Sequence, residues 1–484
     1  MSGLFQALAD VFTATPDKVC VIWGERRLTG RDVLSGVERA ARILRGAHVQ
    51  PGDRVLVQVE KSLDNVFVYL ACLRIGAIYV PLNTGYRAKE FAYFVENAGP
   101  RLVICDPASE HQSTTTLTLA ADGSGTFYKA PATELPSALP TANDLAAIVY
   151  TSGTTGRPKG AMLSNANLLH NARALAEVWG IGPSDTLLHA LPLYHIHGLF
   201  IALNTTLLAG GCLHMQDRFD AKAVIEALPA CTLLMGVPTF YTRLLKEPAF
   251  SADVTRNIRL FISGSAPLLM ETFDAFKDRT GRDILERYGM SECGIITSNP
   301  REGIRRGTVG RPLPNTQVRI ADKAGDVGSV EVKGPGVFSG YWQMPEKNQT
   351  EFRSDGLFIT GDLGQLDDAG FLTLVGRAKD LIITGGLNVY PSEIEAVINA
   401  LPGIDESAVI GLPHDDFGEA VAAVICLKDG ASSEEAAVIA ALKQDLAAFK
   451  VPKRVFYVTA LPRNAMGKVE KAALRAQYAA TFKT

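Results

Sequence analysis

Short apolar segments alternate with longer amphipathic ones along most of the chain. RVLVQVE at 54–60 is followed by SLDNVFVYLACLRIG and then by AIYVPLN. This alternation is typical of an α/β protein, in which helices cross over buried sheets. Further apolar segments end in Gly, Pro, Ser or Asp, the residues expected where strand ends border a ligand crevice; they span 101–106, 146–153, 231–238 and 259–267.

The pattern changes along the chain in a way that predicts two domains. The 484 residues exceed the roughly 100–150 residues of a usual domain. Near residue 310, short strands with Gly-rich turns replace the crossover pattern, and after Gly376 strands and helices alternate again. We predict an α/β protein with a large N-terminal body of several subdomains and mixed βα sheets (1–376) and a small α+β C-terminal domain (377–484).

Charge and cysteine content exclude several classes of partner. The 48 basic and 51 acidic residues leave a net charge of −3, so no global positive field would attract nucleic acid or a membrane surface. The seven cysteines are scattered without a CxxC pair, which favours a reduced compartment. The first residues lack the features of a targeting peptide, and no apolar run is long enough to cross a bilayer. We therefore predict a cytoplasmic protein; the oligomeric state is not readable.

The densest local signal is TSGTTGRPKG, which follows an apolar segment and runs from Thr151 to Gly160. Its glycines let the backbone approach a polyanion, and its hydroxyl groups and Lys159 add donors and charge. The spacing differs from that of the Walker loop, so P-loop geometry is not implied. We interpret the segment as a phosphate-binding loop.

This loop resembles the signature of the adenylate-forming superfamily, which comprises acyl-CoA synthetases, luciferases and adenylation domains. Other motifs of that superfamily follow in order over nearly the whole chain: YHIHG (194–198), SGSAPL (263–268), YGMSE (288–292), TGD (360–362), GRAKDLIITGGLNVYP (376–391) and PRNAMGKVEK (462–471). The resemblance implies a two-step reaction with ATP, Mg²⁺ and coenzyme A. A carboxylate first attacks the α-phosphate and releases pyrophosphate, and a thiol then displaces AMP.

The resemblance also implies roles for individual residues. Lys468 is the adenylation lysine, Glu292 holds Mg²⁺ with Thr155, and Asp362 binds the ribose hydroxyls beside Arg377. Tyr288 stacks on adenine, and Ser265, Ala266 and Gly289 approach the base through their backbones. The remaining nucleotide contacts fall on Thr151, Ser152, Gly153, Thr154, Gly156, Lys159 and Ser291.

The same resemblance places Lys379 at the hinge position of the superfamily. Rotation there would make the C-terminal domain mobile and exchange Lys468 for Gly385, Gly386 and Leu387, which would line the CoA channel. The small domain would thus serve the two half-reactions with different faces.

Two arginines indicate the class of acid. Arg243 follows GVPTFY and Arg287 directly precedes Tyr288. Together with His197 and Ser265 they suggest a seat for the second carboxylate of a short diacid. The segments around them are similar to those of malonyl-CoA synthetases, which also use methylmalonate. Ser291 and the run from Cys293 to Ile296 depart from that pattern, so malonate and methylmalonate are not distinguished.

Two other functions stay open at this point. A short-chain or aryl monocarboxylate–CoA ligase of the same superfamily would not need Arg243 in the acid pocket. A non-catalytic adenylate-binding module would not need Lys468, Asp362 and Glu292 together.

Overall fold

The computed structural model describes residues 3–109, 116–151, 158–464 and 467–482. Contacts divide the chain into two compact units, a large one of residues 1–318 and 332–358 and a small one of 319–331 and 359–484. The α/β class, with a large N-terminal body and a small C-terminal domain, is as predicted. The domain boundary predicted at 376/377 stays a prediction.

The helices of the large unit cover its sheets, and in several of them glycine or a capping box defines an end. Thr29 caps α2 in a capping box with Asp32, and Gly76 ends α3 in the left-handed conformation. The helices are α1 (Leu4–Ala14), α2 (Gly30–Gly46), α3 (Leu63–Ile75), α4 (Ala88–Ala98), α5 (Asn165–Trp179), α6 (Thr205–Leu208), α7 (Ala221–Ala227), α8 (Pro238–Lys246), α9 (Met270–Thr280) and α10 (Pro345–Glu351).

The strands of the large unit are β1 (Val19–Trp23), β2 (Arg26–Thr29), β3 (Arg54–Gln58), β4 (Ile78–Pro81), β5 (Leu102–Cys105), β6 (Thr116–Thr118), β7 (Leu145–Thr151), β8 (Lys159–Ser164), β9 (Thr186–His189), β10 (Cys212–Met215), β11 (Leu233–Gly236), β12 (Leu260–Ser263), β13 (Ile284–Met290), β14 (Gly294–Ser298) and β15 (Arg311–Pro312). One sheet has the order β6-β5-β3-β4-β7-β8 and the other β15-β14-β13-β12-β11-β9-β10-β1-β2. Central strands such as β11 and β12 are buried at every position, as expected for parallel strands covered on both faces.

The small unit is built from two sheets and three helices. Strands β16 (Gln317–Ala324), β17 (Val327–Lys333), β18 (Phe358–Leu366) and β19 (Leu372–Arg377) form the first sheet in that order. In the second sheet the order is β21-β20-β23-β22, and β24 pairs with β23. Its elements are β20 (Ile382–Thr384), β21 (Leu387–Val389), β22 (Ile404–His414), β23 (Gly418–Leu427), β24 (Arg454–Val458), α11 (Pro391–Asn399), α12 (Glu435–Asp445) and α13 (Lys471–Tyr478).

All seven cysteines are buried and free. Within the described ranges, no helix is both long and apolar enough to cross a membrane, and no group of three or more His, Cys, Asp or Glu side chains is placed to hold a metal ion.

Candidate active site

A buried arginine marks the carboxyl ends of two adjacent parallel strands. Strand β12 pairs with β13, and Arg287 lies within β13 next to the segment that follows β12. Its side chain packs against Gly264, where an added Cβ would stand 2.3 Å from the guanidinium carbon. Only glycine leaves room for the guanidinium at this point.

The guanidinium of Arg287 has unused donors. The residue is 5% exposed, and its Nε and Nη2 have no hydrogen-bond partner among the described residues. Burial lowers the pKa of Arg287 to about 10, and the nearby Tyr241 opposes this shift, so the group stays cationic at neutral pH. A buried cation without a paired anion costs free energy of folding, and an anionic group of a ligand would supply that pair.

His197 and Ser265 lie beside this arginine. His197 opens the π-helical segment His197–Asn204, and its Nδ1 is 3.4 Å from the Ser265 hydroxyl. Burial, and then the charges of Arg287 and two other histidines, lower the pKa of His197 well below its usual value. Ser265 has a φ of +71°, a strained conformation that non-glycine residues adopt mainly at functional sites. Three of the four residues predicted for the acid seat are thus brought together.

Arg243 differs from these three. It lies in the last turn of α8 and is an exposed residue. The same helix buries Tyr241, whose hydroxyl donates to the Ile262 carbonyl at 2.6 Å. Contact between Arg243 and the acid stays a prediction.

Glu292, predicted to hold the metal, is anchored by a residue that the sequence did not indicate. Tyr341 donates from its hydroxyl to Oε1 of Glu292 at 2.9 Å. Burial and the charge of Glu292 raise the pKa of Tyr341, so it remains a neutral donor. The predicted phosphate contact Lys159 lies over the Tyr341 ring, with Nζ 4.3 Å from the centroid, and 3.6 Å from a carboxylate oxygen of Glu351. Tyr341 lies in a GYW segment that belongs to none of the motifs named above, so the sequence did not predict this role.

The arrangement fits a Mg²⁺ ion. Magnesium in nucleotide sites is held by one or two carboxylates together with phosphate oxygens and water. Glu292 is buried, and the bond from Tyr341 to its Oε1 holds the carboxylate in place. A single well-held carboxylate is sufficient when ATP supplies the remaining ligands.

The other large-unit predictions fall on strand ends and turns. Tyr288 is buried in β13, Ser291 and Gly289 are partly buried, and Ala266 is exposed. A Cβ on Gly289 would stand 2.2 Å from the Gly294 carbonyl, which explains the glycine in YGMSE. Thr151 pairs with Lys159 across β7 and β8. The predictions for Ser152, Gly153, Thr154, Thr155 and Gly156 lie outside the described residues.

The run that departs from the malonyl-type pattern is part of the core. Cys293, Ile295 and Ile296 are buried. Asn171 bonds both backbone groups of Ile295, accepting from its nitrogen at 3.1 Å and donating to its oxygen at 2.9 Å. These two hydrogen bonds connect α5 to β14, which begins two residues after Glu292.

The small unit contains the predicted ribose residues. Asp362 on β18 is opposite Arg377 on β19, and Nε of Arg377 is 2.8 Å from Oδ1 of Asp362. The backbone nitrogen of Asp362 donates to the Thr360 hydroxyl oxygen at 3.1 Å. The two residues are therefore paired in adjacent strands, and ribose binding stays a prediction.

The remaining predicted residues of the small unit lie at its surface. Lys468 is exposed in a turn where its backbone nitrogen donates to Oδ1 of Asn464 at 3.1 Å. Lys379 is exposed within Ala378–Asp380. Gly385 and Gly386 have φ of +56° and +79°, and Leu387 is 49% exposed.

Comparison with known proteins decides the family. A model described as AMP-binding enzyme matches residues 8–342, and one described as AMP-binding enzyme C-terminal domain matches 393–468. The chain belongs to the AMP-binding enzyme family. The resemblance to the adenylate-forming superfamily is confirmed, and the chain is an ATP-dependent acid–CoA ligase that acts on a small-molecule carboxylate.

Individual relatives of this AMP-binding enzyme have different names. ATP-bound MatB from Rhodopseudomonas palustris is 46% identical, with a TM-score of 0.96 and coverage of 100% of both chains. A malonate–CoA ligase from Arabidopsis thaliana is 34% identical over 88% of this chain and 78% of its own length. A feruloyl-CoA synthase from Amycolatopsis is 33% identical over 96% of both.

Proposed function

We propose that this AMP-binding enzyme joins malonate, or the closely related acid methylmalonate, to coenzyme A and releases AMP and pyrophosphate. The observation that carries the proposal is the buried guanidinium of Arg287 with two donors lacking described partners. The malonate–CoA ligase among the relatives supports the same substrate.

The chemistry of a diacid matches the unused donors. One carboxylate of malonate reacts, and the other stays anionic throughout both half-reactions. Nε and Nη2 lie on the same edge of a guanidinium, which is the edge that binds both oxygens of a carboxylate in parallel. Nε2 of His197, which has no hydrogen-bond partner in the described part of the chain, offers a further polar contact. A monocarboxylate with an apolar tail would leave all three groups buried and unpaired.

Charge neutralisation is the main requirement of the first half-reaction, because one anion attacks another. We assign Lys159 to the phosphates, Glu292 to Mg²⁺, and Lys468 as a mobile charge that reaches both the carboxylate and the α-phosphate. Mg²⁺ would withdraw charge from the phosphate oxygens when bound. Asp362 and Arg377 would hold the ribose, and no general base is needed because the carboxylate is already ionised.

The second half-reaction is assigned to the small domain. We propose that rotation at Lys379 withdraws Lys468 and brings the loop of Gly385, Gly386 and Leu387 to the CoA channel. The thiol then attacks the acyl carbon, and AMP leaves with the bonding electron pair. A cytoplasmic location is part of the same proposal.

A panel of acids tests the proposed substrate. The enzyme is incubated with ATP, Mg²⁺ and CoA, and AMP is measured with malonate, methylmalonate, succinate, acetate, butyrate, benzoate and ferulate. We expect kcat/KM to be highest for malonate or methylmalonate. A higher value for any monocarboxylate would contradict the proposal and support the alternative ligase.

Gly264→Ala is expected to weaken acid binding selectively. The new Cβ would stand 2.3 Å from the Arg287 guanidinium carbon, so the arginine must move. We expect the KM for malonate to rise about tenfold, the effect of losing one charge-assisted hydrogen bond, with the KM for ATP nearly unchanged. Gly182→Ala is the matched control because an added Cβ there meets nothing within 4 Å. Equal changes in both variants would argue against the role of Gly264.

Tyr341→Phe is expected to increase the requirement for Mg²⁺. The substitution removes the bond to Glu292 and keeps the ring on which Lys159 lies. Losing a hydrogen bond to a charged group costs about 1.5–3 kcal/mol, so the Mg²⁺ concentration for half-maximal AMP formation should rise about tenfold. Calorimetric titration of Mg²⁺ into the enzyme with a non-hydrolysable ATP analogue gives a second readout. An unchanged Mg²⁺ affinity would exclude this function of Tyr341.

A further inference from the structure

A buried lysine lies behind the segment that carries His197. Lys61 follows β3 and precedes Ser62, the N-cap of α3, and it is 6% exposed. Fully buried lysines are rare unless an acid pairs with them. Lys61 has no carboxylate within ion-pair distance among the residues the structure describes.

The partners of Lys61 are on a histidine at the end of β9. Its Nζ is 2.9 Å from Nδ1 of His189 and 2.8 Å from the His189 carbonyl oxygen. Because the Gly198 carbonyl beside Nε2 of His189 can only accept, the ring proton is on Nε2, and Nδ1 accepts from Lys61. Nε2 of His189 then donates to the Gly198 carbonyl at 2.9 Å. Lys61 thereby selects the tautomer that binds Gly198.

This bond holds the start of the π-helical segment. Gly198 directly follows His197 and is tightly packed, since a Cβ there would stand 2.1 Å from the Pro192 carbonyl oxygen. The backbone is therefore clamped between Pro192 and His189. Any rotation of His189 would move the residue that bears the His197 ring toward or away from Ser265.

Burial governs the protonation of these groups. Burial, and then the Lys61 ammonium, lower the pKa of His189 to about 3, so His189 is neutral at all working pH values. Burial also lowers the pKa of Lys61 well below its usual value, and the charge of Asp217 opposes this shift. For His197, burial and then the charge of Arg287 lower the pKa.

We propose that Lys61, acting through His189 and Gly198, is a positioning residue for the acid site. The inference rests on the proposed function for the class of acid. Lys61 lies at one end of this chain of contacts. At the other end are Nε and Nη2 of Arg287 and Nε2 of His197, which have no hydrogen-bond partner among the described residues.

Lys61→Met tests the proposal because methionine keeps an unbranched apolar stem and removes the charge and the donors. We expect the KM for malonate to rise about tenfold or more, the KM for ATP to change less than twofold, and the thermal midpoint to stay close to that of the unmodified enzyme. Lys222→Met is the matched control, since Lys222 is exposed on α7. Unchanged malonate KM in a folded Lys61→Met enzyme, or equal rises for malonate and ATP, would overturn the proposal.

Two histidine variants test the relay without removing the lysine. His189→Gln can place an amide N–H near the position of Nε2, whereas the shorter side chain of His189→Asn reaches only the position of Nδ1. If His189 positions the site through Gly198, the malonate KM of His189→Gln should be close to that of the unmodified enzyme. The malonate KM of His189→Asn should differ more. The reverse order would overturn the relay.

Positioning of the acid site has its own readout. In Lys61→Met, kcat/KM should fall more for malonate than for the best monocarboxylate of the acid panel, because malonate has the second carboxylate that the acid site would hold. An equal fall would overturn the assignment of Lys61 to the acid site. The panel on the unmodified enzyme decides the diacid function separately, because that result does not depend on Lys61.

Discussion

Replacing Arg287 with leucine is expected to lower kcat/KM for malonate by about 100-fold or more. The guanidinium offers Nε and Nη2 as donors without described partners, and each charge-assisted bond contributes about 1.5–3 kcal/mol. A factor of ten corresponds to about 1.4 kcal/mol, so loss of a bidentate contact exceeds two orders of magnitude. Activity with a monocarboxylate should fall much less, because such an acid does not use these donors. Initial rates of AMP formation over a range of acid concentrations measure both effects.

The same substitution should stabilise the ligand-free enzyme. A buried guanidinium without an anion costs free energy of folding, and leucine at that position leaves no donor unpaired. We therefore expect the thermal midpoint of Arg287→Leu to equal or exceed that of the unmodified enzyme, a trade of stability for function. Added malonate should raise the midpoint of the unmodified enzyme and leave the variant unaffected.

Two arginine controls separate acid binding from general effects of charge. Arg256→Leu removes an exposed arginine paired with Asp253 and should leave all kinetic constants unchanged. Arg243→Leu tests the other predicted arginine, for which we expect an increase in malonate KM of about tenfold if one bond is lost. If Arg287→Leu retained the malonate preference, the diacid seat would have to lie elsewhere.

The fold class was predictable because the spacing of apolar residues along the chain indicates which positions are buried. Parallel strands buried on both faces give continuous apolar runs such as RLFIS, and β12 occupies Leu260–Ser263 of that run. The small sheet of β16–β19 was harder to assign. Its contacts join residues 319–331 to residues after 358, and such pairing between distant segments leaves no periodic signal within either segment.

The candidate site was predictable where motifs carry the chemistry. The motifs containing His197, Ser265 and Arg287 lie far apart in sequence, and the structure places these residues close together, while their role in acid binding stays a prediction. The supporting contacts were not predictable. Gly264 is needed because of a neighbour in another strand, Tyr341 binds Glu292 from 49 residues away, and Lys61 binds His189 from 128 residues away. Such contacts depend on the packing of strands and loops, which residue type and spacing do not specify.

Replacing Lys468 with alanine is expected to separate the two half-reactions. The first step brings a carboxylate to a phosphate, and loss of one preorganised charge at such a step costs about 100- to 1,000-fold in rate. Malonate-dependent exchange of pyrophosphate into ATP should fall by that factor. Formation of malonyl-CoA from supplied malonyl-adenylate and CoA should persist, because attack by a thiol on the acyl carbon does not need this charge.

The turn that carries Lys468 should survive the substitution. Its backbone bonds to Asn464 involve main-chain atoms of residue 468, which alanine keeps, and the side chain is exposed. Lys443→Ala on α12 removes another exposed lysine from the same unit and should leave both half-reactions unchanged. If Lys468→Ala slowed both half-reactions equally, the lysine would act on a step that they share, and the assignment to adenylation would be wrong. Selective loss of exchange would instead show that the small domain supplies a charge to the first step only, which is what a hinge at Lys379 requires.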